Sequence, residues 1–294
     1  MPETGSPTFL LGDFGGYVRP QVAPEPKDRE KVLLKLLPVR QRGYIEAGDG
    51  KVKSLINYFW VDKGETDIRI VYDGTGCGLN DFIWAMHFFL PTMRHTLRSL
   101  LPGYYQCDGD IGEMFLNFMV HEMLRELSGV DISHVRSDDP IFEAARAAAW
   151  ERWCRNWMGL KDSPVRSIQL MTRVKLVAYG DRRVRTNPFH WERVVFNLPG
   201  MADYRPDLPW GMKVRFDGHL ACEVFVYVDD SRATGHCRWI SWRAFRQFAS
   251  VCTRHGIQIA ERKSNFPSQV PQSWVDTNTD TSDGQVSATV SEKK

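Results

Sequence analysis

Val224-Phe225-Val226-Tyr227-Val228-Asp229-Asp230 is the stretch around which the chain is organised. Its valine and aromatic residues predict a strand. The Asp pair that ends it, followed by Ser231-Arg232 and Gly235, predicts a hairpin tip. Paired aspartates are usually structural, because Asp serves turns and helix caps. The chain supplies its own control: Asp138-Asp139 precedes Pro140 and the alanine-rich residues 142–150, the pattern of a helix start. What sets Asp229-Asp230 apart is a third carboxylate far upstream, Asp110, in Asp110-Ile111-Gly112-Glu113-Met114-Phe115. It too is expected at the end of a short strand, Tyr104–Asp110.

With 294 residues, 43% of them hydrophobic and 25% charged, the chain can bury one large core or two smaller ones. Net charge is only +2, so the total does not announce a nucleic-acid binder. The distribution is more telling: between Arg146 and Arg185 ten Lys/Arg face three Asp/Glu. That excess is either a solvated face or a phosphate-binding surface. The six cysteines show no C-x-x-C spacing, and no secretory signal opens the sequence, which predicts reduced thiols inside the cell, in cytoplasm or nucleus. His236-Cys237 has no partners at zinc-ligand spacing. The most apolar run, 82–90, is about half of what a bilayer requires, so no membrane association is expected.

Along the chain, residues 1–28 are rich in Pro and Gly and predict a mobile leader. A helix is expected over 28–37, then strands over 54–61 and 67–72 joined by a turn at Asp62-Lys63-Gly64-Glu65. The glycine-rich Gly74–Asn80 lacks the Gly-Lys-Ser/Thr ending of a phosphate loop and predicts a flexible turn. Helical spacing of Phe115, Phe118, Met119, Met123 and Leu127 predicts a helix over 114–127. Further helices are expected over 140–150, 165–178 and 242–255, the last stopped by Gly256. Residues 180–218 read as an insertion with a strand near 213–216, and the polar residues 275–294 as a disordered tail.

Strand–Asp110–helix, strand–Gly159 turn–helix and the Asp229-Asp230 hairpin together have a chemical purpose. Two divalent ions about 3.5–4 Å apart can activate a hydroxyl and stabilise a leaving pyrophosphate. Holding them takes carboxylates brought together from different parts of the chain. With these motifs in this order, residues 52–274 resemble the fingers and palm of a reverse transcriptase, of the kind carried by retrotransposons of protists and fungi. Lys63 and Arg69, in Lys63-Gly64-(x4)-Arg69-Ile70-Val71-Tyr72-Asp73, look like the residues that grip an incoming triphosphate. Asp110-Ile111-(x2)-Met114-Phe115 resembles motif A: Asp110 and the Ile111 carbonyl would bind metal, and Phe115 would be the steric gate against a ribose 2′-hydroxyl. Met158-Gly159-(x3)-Ser163-Pro164 resembles motif B, which packs on the template–primer and the nascent pair. Tyr227-Val228-Asp229-Asp230 has the Y-x-D-D form of motif C, and Gly256-Ile257-(x5)-Lys263 resembles motif D, whose lysine protonates pyrophosphate.

The resemblance implies a mixed α/β (α+β) polymerase fold: a leader over 1–28, fingers over 29–103, and a palm over 104–274 with an antiparallel sheet backed by helices. It implies an RNA-directed DNA polymerase using two Mg²⁺ or Mn²⁺ ions. Asp110, Asp229 and Asp230 would be its catalytic metal ligands, with Lys63, Arg69, Ile111, Phe115, Gly159 and Lys263 around the dNTP. The implied partners are an RNA or DNA template–primer and other parts of a retrotransposon polyprotein. Several features depart from the pattern. Asp108 precedes Asp110 and competes as ligand, Met158 stands where many relatives have Gln or Phe, and 66 residues separate Ser163 from Asp229. Trp274 resembles the tryptophan of the primer-grip hairpin, but Asp276 replaces its glycine. No thumb follows before Lys294, which points to a fragment of a longer polyprotein or a decayed element. The alternative expectation is an inactive remnant that binds nucleic acid or a partner.

Overall fold

A computed structural model describes residues 8–63, 67–134, 150–271 and 273–292 as a mixed α/β chain with small antiparallel sheets. Met1–His87 with Phe115–Ser167, and Phe88–Met114 with Ile168–Lys294, form two compact units. This interleaving differs from the expected sequential division near residue 103. The reason is long-range pairing: the strand carrying Asp110 has its partner more than a hundred residues later, while the chain just after it pairs with segments of the first unit.

In chain order, β1 (Phe9–Leu10) pairs with a strand at Ile83–Trp84. Helix α1 (Pro26–Gln41) begins on Pro26, where a missing N–H costs nothing, and buries Val32 and Leu36. Then come β2 (Ile45–Ala47), the hairpin β3 (Tyr58–Lys63) and β4 (Asp67–Tyr72), helix α2 (Leu79–Phe82) and β5 (Ile83–Trp84). Helix α3 (Met93–Leu97) and β6 (Tyr105–Asp110) belong to the second unit. The first unit resumes with α4 (Glu122–Glu126), β7 (Gly129–Val130) and β8 (Glu151–Trp153), which lies between β2 and β7. Its core gathers Leu36, Ile56, Tyr72, Leu79, Trp153 and Trp157. Helix α5 (Ser163–Tyr179) leads into the hairpin β9 (Arg193–Phe196) and β10 (Gly211–Val214), then β11 (Glu223–Tyr227), β12 (Asp230–Gly235), helix α6 (Arg238–Arg254) and the hairpin β13 (Thr277–Asp280) and β14 (Ser287–Val290).

Several expectations change. The leader is tied down from Phe9 onward: besides β1, Leu11 N–H donates to the Phe82 carbonyl, and Gln21 accepts from Tyr58 N–H at 2.8 Å. The expected 114–127 helix is broken into a 3₁₀ turn, Met114–Asn117, and α4. Between them the backbone exchanges hydrogen bonds with 154–156, so Phe118–Val120 is extended, and His121 caps α4. The polar tail is not irregular but holds the β13–β14 pair, and Thr279 on β13 accepts from the buried Arg232. The 180–218 stretch contributes the β9–β10 hairpin, whose Val195, Met212 and Val214 join Leu100, Tyr104 and Leu220 in a small second core. Residues 140–149 of the expected 140–150 helix, with Asp138-Asp139 ahead of it, and Gly64-Glu65 lie outside the described residues. Among the described residues, no helix is long and apolar enough to cross a membrane.

Candidate active site

The three-stranded sheet β11-β12-β6 builds the site. Its register places Tyr227 opposite Asp230, leaving Val228-Asp229 as a two-residue hairpin loop. Val228 has φ +54°, a left-handed backbone that a β-branched residue rarely adopts. Glycine is the ordinary occupant of such a position in a tight hairpin, so valine stores strain of about 1–3 kcal/mol beside the carboxylates. On its other side β12 pairs with β6, and here Asp230 falls directly opposite Asp110. The Asp229 carbonyl accepts from Ile111 N–H at 2.7 Å, which ties the tip of the hairpin to the end of β6. Three carboxylates from two distant stretches thus share one end of the sheet.

The back of the sheet explains why this end is rigid. Helix α6 presents Ile240, Ala244, Phe245, Phe248 and Val251 at helical spacing. The Phe245 ring packs against Gly109, where a Cβ would collide with its Cε2 and Cζ. Asp108 is not a member of the site. It is buried opposite Arg232, whose guanidinium takes both its oxygens at 2.6 and 2.8 Å and also donates to Gln106 Oε1 and Thr279 Oγ1. Arg232 stands 5.5 Å over the Trp274 ring. Asp276, found in place of the expected glycine, has φ +55°, so it adopts the left-handed conformation that glycine would.

Residues 257–263 run along the free edge of β6: Gly112 N–H donates to Gln258, and Ala260 N–H to the Asp110 carbonyl. This delivers Lys263, whose Nζ lies 2.7 Å from Asp110 Oδ2. The hydrogen bond to Asp110 raises the lysine pKa above its usual value. The Asp230 pKa rises too, for a different reason. Burial, and then the charges of Asp229 and Asp110, push its carboxyl up to about 6.

Asp110, Ile111, Asp229, Asp230 and Lys263 thus come together in the second unit. The other expected residues lie in the first unit. Lys63 ends β3 opposite Asp67, and Arg69 is exposed on β4 opposite Val61. Phe115 is half-buried in the 3₁₀ turn. Gly159 has φ +105°, and its Cα faces the Tyr72 carbonyl so closely that no Cβ fits. The Gly74–Asn80 loop, expected to be flexible, is pinned to this turn. Asn80 Nδ2 donates to the Gly159 carbonyl at 2.8 Å and its Oδ1 accepts from Lys161 N–H at 2.9 Å. Sequence reading missed this clamp, although two glycine turns flanking an Asn were its only visible signal. Half of the ten cations of the basic 146–185 stretch are paired: Arg152, Arg166, Arg182, Arg183 and Arg185 all hold carboxylates.

Among the described residues, no three or more His, Cys, Asp or Glu form a ready-made metal cage. The donor chemistry nonetheless suits a hard cation. Carboxylate oxygens are the ligands Mg²⁺ prefers, and the charges of Asp229 and Asp110, which after burial raise the Asp230 pKa, are a repulsion that a dication relieves. No protein-family model and no curated protein matches this chain. The functional reading rests on these residues and their geometry.

Proposed function

We propose that the chain is a retrotransposon-derived, RNA-directed DNA polymerase core that adds a dNTP to a primer 3′-end. The observation that carries this reading is the pairing of Asp230 with Asp110, with Asp229 beside them at the hairpin tip. In the transfer, the 3′-oxygen bonds to the α-phosphorus and gives up its proton. The bond between that phosphorus and the bridging oxygen to the β-phosphate breaks, and pyrophosphate leaves. Asp110, Asp229 and Asp230 are the residues that would hold Mg²⁺ or Mn²⁺. When bound, the ions supply charge neutralisation for the hydroxyl and the leaving group.

The chain's own residues then divide the remaining work. Lys63 and Arg69 are assigned to the triphosphate, Phe115 to sugar choice and Gly159 to the nascent pair. Lys263 Nζ donates to Asp110 Oδ2 at 2.7 Å. This bond keeps the Lys263 proton tightly bound. Freed from Asp110, the ammonium becomes a better acid for the departing pyrophosphate.

A second reading, an inactive remnant that retains nucleic-acid binding, draws on the same lysine: its ammonium takes up the Asp110 oxygen that a metal ion would need as ligand. Primer extension on an RNA template with Mg²⁺ or Mn²⁺, comparing the chain with Asp229→Asn, separates the two. Extension by the parent chain that the variant loses establishes the polymerase. Salt-sensitive template binding without extension by either protein leaves the remnant.

A further inference from the structure

A cavity of about 240 Å³ opens in the second unit between α5 and β11, and none of the three carboxylates lines it. That is room for about eight waters at about 30 Å³ each. Phe89, Ile168, Met171, Phe225 and Val226 make its walls apolar, and one charged side chain, Lys175, lines it as well. Phe89 stands edge-on to His95, another lining residue, with ring centroids 5.0 Å apart.

Lys175 makes no ion pair among the described residues. Glu223 is the carboxylate that acts on it, but Glu223 Oε1 already holds Arg182 and Lys213, each at 3.0 Å. Those two cations repel Lys175 and offset what Glu223 offers. Desolvation, the larger effect, disfavours the lysine charge as well. An ammonium in an apolar recess without a counter-ion of its own is half of a binding site.

We propose that this cavity binds a small monoanionic amphiphile, an aromatic or branched aliphatic carboxylate, with its apolar body against Met171, Phe225 and Val226 and its carboxylate on Lys175 Nζ. A single point-charge donor matches one carboxylate, whereas a phosphate dianion calls for a fork of cations that the recess lacks. The proposal is independent of the polymerase reading, because none of its residues belongs to the metal or triphosphate set.

Saturation-transfer NMR with benzoate and the isosteric neutral benzamide tests it on the full chain. Benzoate is expected to bind about tenfold more tightly than benzamide, equivalent to about 1.4 kcal/mol. Lys175→Met is expected to abolish that preference, Lys175→Arg to keep it, and Met171→Trp to fill the recess and remove both signals. The wild-type comparison stands even where a variant folds poorly. Benzamide binding as well as benzoate, no saturation transfer to either probe, or a preference surviving in Lys175→Met would each overturn the proposal.

Discussion

Replacing Asp230 by Asn should stabilise the protein at neutral pH in the absence of divalent ions. The carboxyl is displaced from 3.8 to about 6, by burial first and by Asp229 and Asp110 next. At about 1.36 kcal/mol for each pH unit, that displacement corresponds to about 3 kcal/mol. Asp230 is only half-buried, and solvent screening reduces the net effect to about 1–2 kcal/mol. The sign follows from linkage. A carboxyl whose folded pKa lies above its unfolded value binds protons more readily when folded. Its cost is therefore absent below about pH 4, grows as pH rises through 4 to 6, and is complete above. Thermal melts in EDTA should show Asp230→Asn ahead of the parent chain at pH 7.5 by about 2–6 °C. The lead should shrink towards zero at pH 4, a comparison that cancels every titration common to both proteins. Millimolar Mg²⁺ should stabilise the parent more than the variant, since it binds the folded carboxylates. A variant less stable than the parent at pH 7.5, or a lead unaffected by acid, would refute the view that burial and the neighbouring carboxylates make the Asp230 charge costly.

Three further outcomes are expected. Arg232→Met leaves Asp108 buried without its bidentate partner and should cost about 3–5 kcal/mol in urea unfolding. Adding Asp108→Leu should recover most of that loss. Gly159→Ala forces a methyl group into the Tyr72 carbonyl at a left-handed backbone, and should lower stability by about 2–3 kcal/mol in the same assay. If Phe115 gates the sugar, Phe115→Val should raise ribonucleotide over deoxyribonucleotide incorporation by about tenfold in primer extension, or about 1.4 kcal/mol. Unchanged selectivity would remove Phe115 from the site.

The strand β11, helix α5 and helix α6 were legible because their information is local, whereas the hairpin tip, expected on the Asp229-Asp230 pair, falls one residue earlier at Val228-Asp229. Alternating valines, a helical apolar stripe and a glycine stop are read within one turn or one pleat. The sequence also determined which carboxylates to consider, since strand-ending aspartates leave a recognisable pattern. Other features depended on partners far away. The break at Phe118–Val120 exists because 154–156 supplies hydrogen bonds that compete with the helix. Likewise, the leader and tail are ordered by contacts with β3, α2 and Arg232 that no composition reveals. Only the tertiary structure decided that Asp230 lies opposite Asp110 while Asp108, two residues away on β6, is consumed by Arg232. Strand register decides this: neighbours two apart share a face, and each role depends on which residue of β12 stands opposite.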